Sequence, residues 1–181
     1  KLKEESKEKE IDDEITSNKS DNATNYSKYF SKNSLHFFET AEFLYHSNLL
    51  GTLDYSCILT PYSKTVESEI YEKFLKKLES WCISSGEKIY MGTKEIKDFN
   101  LITLGQIKSL LFNQNVRDFI KNNFSEASAV FLLNGFQDTT HNLSQIRNPN
   151  SHKSKTSKDV VESFRKILID EEYLLNIARL N

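Results

Sequence analysis

The scarcity of turn-forming residues is the feature that most constrains this chain. Five Gly and two Pro in 181 residues fall well short of the usual combined share of about 12%. A β-sandwich or barrel needs a turn signal every 8–12 residues or so, and this chain cannot supply that many. Long helices joined by few connections need far fewer, so the expected fold class is all-α. Hydrophobic residues make up 38% of the chain, enough for one core and one domain.

With 24 basic and 26 acidic side chains the net charge is −2. That balance excludes a bulk polycation coating nucleic acid or membrane, though not a local basic patch. No apolar run approaches the roughly 18 residues of a membrane span, and no signal peptide is recognisable, so a cytoplasmic protein without a membrane partner is expected. The cysteines, Cys57 and Cys82, sit in apolar stretches, match no metal spacing, and read as buried reduced thiols. The chain opens on Lys1 and its one methionine is Met91, which points to a processed product or a piece of something longer.

Residues 1–33 read as a charged tail or linker, disordered or frayed. In Lys1–Ser20 twelve of twenty residues are charged and only Leu2, Ile11 and Ile15 are apolar, too little to offset ordering entropy. Residues 34–181 read as a bundle of about five helices. The first has Ser34 as cap and an apolar stripe through Phe38, Ala41, Leu44 and Tyr45. A longer helix over 54–83 is kinked or restarted at Pro61. Residues 84–100 form a loop with a short hairpin near Lys88–Met91. Thr103-Leu-Gly-Gln106 spells a capping box, and a short helix covers 116–122. A helix over 125–146 tolerates Gly135. A polar segment, Arg147 to Ser157, then leads to a last helix with Ser157 or Thr156 as cap.

That polar segment is where chemistry is expected. Arg is rare here, at Arg117, Arg147, Arg165 and Arg179 only, and no acid occurs between Asp138 and Asp159. Arg147, Lys153, Lys155 and Lys158 therefore make a local electropositive spot suited to a phosphate-bearing ligand. A guanidinium can hold two phosphate oxygens and stabilise transition-state charge. Imidazole, here His152, exchanges protons near neutral pH. In RNA the 2′-hydroxyl adjoins the scissile phosphate, so it can attack without a metal. On the residues alone, a solvated loop between two helices competes with this reading.

Arg147-Asn-Pro-Asn-Ser-His152 resembles the R-x4–6-H motif of HEPN domains (higher eukaryotes and prokaryotes nucleotide-binding), including the frequent Asn after Arg. Phe37-Phe-Glu-Thr-Ala-Glu-Phe-Leu-Tyr45 is similar to first helices of such domains, as is the stretch from Asp54-Tyr-Ser to Lys64-Thr-Val-Glu67. The resemblance covers roughly residues 34–180. It implies an α-bundle endoribonuclease, dimeric, with two motifs meeting in one metal-independent site and no cofactor. Arg147 and His152 would be catalytic, Asn148 would orient the pair, and Lys153 and Lys155 would bind flanking RNA phosphates. The implied setting is bacterial defence or toxin–antitoxin systems, with fusion to a sensor or ATPase module or control by an antitoxin. The alternative is a non-catalytic HEPN-like module that binds RNA, a nucleotide or a protein.

Two other constellations compete more weakly. His36 with Glu39, or Glu42 with His46, could set two metal ligands on one helix face, but neither has a third. His141 lies about two turns before Arg147 and could line the same cleft.

Overall fold

The computed structural model describes residues 28–47, 54–152 and 155–181. Among the described residues the fold is all-α apart from one small hairpin. Helix α1 spans Lys32–His46 and starts earlier than the sequence suggests, because Ser31 is its cap and accepts from the Ser34 backbone N–H at 3.3 Å. Ser34 is fully buried instead. Residues 28–31, assigned from sequence to the tail, pack onto the bundle. Phe30 meets Phe38 edge-on at 5.4 Å, and Lys73 Nζ donates to the Tyr29 carbonyl at 2.9 Å. The remainder of the tail, residues 1–27, lies outside the described residues.

Helix α2 is one long element in three parts: Ser56–Ile70, a π-helical turn Tyr71–Leu75, and Lys76–Ser85. Pro61 neither ends nor restarts it. The irregularity falls ten residues later, at the π turn, where one residue more per turn shifts the register of the side chains beyond. Gly86, at φ 75°, closes the helix in the left-handed region that favours glycine. The hairpin pairs β1 (Tyr90–Met91) with β2 (Lys94–Glu95) across Gly92, φ 61°. After a 3₁₀ turn at Phe99–Leu101, α3 spans Leu104–Leu111. The Gln106 side-chain oxygen accepts from Thr103 N at 2.9 Å, as the capping box requires.

Helices α4 (Gln114–Asn123) and α5 (Glu126–Leu133) follow. The expected helix over 125–146 is broken at Asn134–Gly135, and α6 then spans Phe136–His152. Helix α7 (Lys158–Ile169) is capped by Ser157, whose hydroxyl accepts from Val160 N, and α8 covers Tyr173–Ala178. Among the described residues no helix is long and apolar enough to cross a membrane.

Helix α2 is the centre of the molecule, packed along α1 and against α6, α7 and α8, while α3 lies on α6. Its buried face carries Ile58, Leu59, Tyr62, Val66 and Ile70, and the π turn adds Phe74 and Leu75. A polar cluster joining three helices is sunk in this core. The Glu42 carboxylate of α1 receives Arg165 of α7 through Nε and Nη2, both at 2.9 Å, and the Tyr62 hydroxyl of α2 donates to it as well. Arg165 also lies over the Tyr45 ring, 4.7 Å from its centre. The two cysteines differ from expectation. Cys57 is exposed, and Cys82 is half-buried with its thiol pushed up to about 11 by burial and then by nearby Glu87.

Candidate functional site

The expected loop around Arg147 is a helix. Helix α6 continues through the whole motif to His152, although Pro149 has no N–H to offer the carbonyl four residues back. Among its described side chains Phe136, Thr140, Leu143 and Ser144 are buried, along one stripe. Arg147 is the next position on that stripe. It lies where the core gives way to solvent, with its side chain 29% exposed.

There Arg147 meets α2. Its Nη1 donates to Glu67 Oε1 at 2.9 Å, across 80 residues of sequence. Burial raises the Glu67 pKa above the ordinary glutamate range, against the lowering effect of the Arg147 and Lys64 charges. The pairing was not visible in the sequence. Glu67 follows the core residue Val66, and nothing in the spacing of α2 selects it from the other acids there.

Five helical positions separate Arg147 from His152, about 140° around the axis and about 7.5 Å along it. One helix therefore sets the two positions on different sides. The side chains of Asn148 and His152, and all of Lys153, lie outside the described residues. Lys155 is described and exposed. Lys158, counted from sequence in the electropositive spot, is paired with Glu162 at 3.2 Å. With Arg147 on Glu67, two of the three described cations of that spot are ion-paired with a carboxylate.

The chain after the motif is fixed at Thr156, which is buried. Asp54, just ahead of α2, accepts from Thr156 N at 2.8 Å and from Ser56 N at 3.0 Å. Tyr55 N returns a bond to the Thr156 carbonyl at 3.2 Å. The backbone N–H groups of Ser56 and Thr156 hold the Asp54 carboxyl below the usual aspartate range.

Glu67 also belongs to the wall of an open cavity of about 510 Å³ between α1, the middle of α2 and the 3₁₀ turn. Phe37, Lys64, Tyr71 and Asn100 line it too. The other candidates disperse. His141 is half-exposed, and its carbonyl accepts the Ser144 hydroxyl at 2.7 Å. His46 lies 3.5 Å from Glu42, but that carboxylate already serves Arg165 and Tyr62. No group of three potential metal ligands occurs among the described residues.

No protein-family model, curated protein or solved structure matches the chain.

Proposed function

We propose that this chain is a metal-independent endoribonuclease of HEPN type acting on single-stranded RNA. The observation that supports it is the placement of Arg147, at the solvent end of the buried stripe of α6, oriented by Glu67 and carried on the same helix as His152. In this reading the ribose 2′-oxygen attacks phosphorus and the bond to the 5′-oxygen breaks. One proton leaves the 2′-hydroxyl and one reaches the departing 5′-oxygen, giving a 2′,3′-cyclic phosphate and a 5′-hydroxyl. His152 serves the proton transfer and Arg147 the charge on the phosphoryl oxygens. Asn148 orients the pair, while Lys153 and Lys155 hold flanking phosphates.

The 140° between the two positions favours a homodimer in which Arg147 of one copy works with His152 of the other. Symmetric pairing is the commonest oligomeric arrangement and repeats the same helix faces on both sides. The setting that goes with this reading is a cytoplasmic defence or toxin–antitoxin protein, regulated by an antitoxin or a fused sensor or ATPase module.

Labelled single-stranded RNA incubated with the protein in EDTA tests the proposal. Cleavage should persist, and DNA, which lacks the 2′-hydroxyl, should survive. Arg147→Ala or His152→Ala should lower the rate by about 10²-fold or more with little change in melting. Mixing the two inactive variants should restore activity that neither has alone. Loss of cleavage in EDTA, or full activity in both folded variants, overturns the assignment. A second reading, a non-catalytic HEPN-like module binding RNA, a nucleotide or a protein, is favoured by the ion pair that balances the charge of Arg147. RNA that binds but stays intact selects it.

A further inference from the structure

We infer that the cavity beside Glu67 is a nucleobase pocket that receives an unpaired base of the RNA strand next to the phosphate at Arg147. The inference rests on the ribonuclease reading for the position of that phosphate, and on the cavity itself for everything else. The cavity shares Glu67 with the Arg147 ion pair, so the two sites are contiguous through one side chain. Its volume, about 510 Å³, falls within the range of small-molecule sites.

The lining has the chemistry of a base pocket. Phe37 and Tyr71 are half-exposed aromatic rings on its wall. Lys64 lies over the Phe37 ring at 5.4 Å and covers it in part. Tyr71 makes no ring contact among the described residues and stands at the first position of the π turn, an irregularity that often marks functional positions. Aromatic faces of this kind stack unpaired bases, and amides read their edges. The amides of Asn33 and Asn100, both on the rim, make no hydrogen bond among the described residues. An amide offers both a donor and an acceptor, as a base edge demands.

Of the two carboxylates on the wall, Glu67 is paired with Arg147 and Glu72 with Lys76 at 3.0 Å. Both acids on the wall are thus ion-paired, and Lys64 adds one positive charge, so the wall opposes neither a base nor the phosphate attached to it. Leu101, 71% exposed at the mouth, gives a sugar or neighbouring base an apolar edge.

The test measures equilibrium binding of a fluorescein-labelled single-stranded RNA in EDTA, using Tyr71→Ala, Phe37→Ala and the mouth-filling Leu101→Trp. Leu101 is a surface residue, so that variant is informative even where an aromatic deletion unfolds the protein. Tyr71→Ala should weaken binding by about 5- to 150-fold, the range of base–aromatic stacking, and Leu101→Trp should weaken it as well. An oligonucleotide with one abasic position should lose affinity on the wild type but little further on Tyr71→Ala. Competition by free nucleosides and nucleoside monophosphates separates a pocket for free nucleotides from one that works only within a strand. Wild-type RNA affinity in the folded variants, or no RNA binding by the wild type, overturns the pocket. Cleavage that depends on Arg147 alongside unchanged affinity in the pocket variants sinks the pocket and leaves the nuclease reading. Binding that depends on Tyr71 without cleavage does the reverse.

Discussion

Glu42→Ala is the substitution whose cost follows most directly from the structure. The Glu42 carboxylate is 4% exposed and the Arg165 side chain 16%. Arg165 reaches it through two nitrogens at 2.9 Å, and Arg165 Nε also lies 3.1 Å from the Tyr62 oxygen. Burial alone would lower the Arg165 pKa, but the bonds to Glu42 and its charge outweigh that and raise it. The Tyr62 pKa is raised by burial and by the same carboxylate. Removing Glu42 leaves a guanidinium in the core without a counter-charge, at a cost of about 3–5 kcal/mol. For a chain of this size each kcal/mol lowers Tm by about 2–4 °C, so the variant should melt about 6–20 °C below wild type. The triple variant Glu42→Met, Tyr62→Phe, Arg165→Leu strands no polar group and should melt close to wild type or above it. Thermal unfolding followed by circular dichroism, with urea titration for ΔG, measures both. A single variant within about 1 kcal/mol of wild type, or a triple variant as unstable as the single one, would refute the reasoning.

Glu67→Gln keeps an acceptor for Arg147 and removes its negative charge, so RNA should bind up to about 5-fold tighter, the scale of a part-exposed ion pair. Because burial raises the Glu67 pKa, acidification should neutralise the wild-type carboxylate above the ordinary glutamate range and bring the two affinities together; a weaker-binding Gln variant would show that the charge itself is needed. Asp54 has a depressed pKa, so its charge stabilises the fold above the unfolded value of about 3.9 and is lost only as pH falls through the lower folded value. The gap in Tm between wild type and Asp54→Asn should therefore persist at pH 5 and close only below about pH 4, and a gap already closed at pH 5 would contradict the geometry.

Local rules made much of the fold legible. The capping box at Thr103 and Gln106, the Ser157 cap and the hairpin each depend on residues a few positions apart, and each is present, the hairpin extending to Glu95, beyond the expected Lys88–Met91. The apolar stripes also located the core, since Phe38, Val66, Phe164 and Leu168 are fully buried. What escaped depends on distant partners. Glu42 sits on the stripe of Phe38, Ala41 and Tyr45, so an acid facing the core was readable, but its partner Arg165 lies 123 residues away. Glu67 offers no such signal, and its bond to Arg147 exists only because α2 and α6 pack together. Asn134–Gly135 was the opposite error. An apolar spacing that spans the glycine disguised a real break between α5 and α6.

The motif itself shows how tertiary structure overrides a local preference. Asn-Pro-Asn-Ser, between Arg147 and His152, is a run of turn formers, and a proline in a helix interior costs about 3 kcal/mol relative to alanine. Yet the segment is helical to His152. Two attachments flank it, Arg147 to Glu67 before it and Thr156 to Asp54 after it. Glu67 belongs to α2, at the centre of the bundle, and Asp54 lies just ahead of its first turn. Glu67 and Asp54 are thirteen residues apart in sequence, so both ends of the motif are tied to α2 and the residue or two ahead of it. The local sequence favours opening of this stretch, and the anchors oppose it. The residues proposed to act on RNA thus occupy the part of α6 whose local sequence least favours a helix, and one of them, Arg147, is itself an anchor to α2.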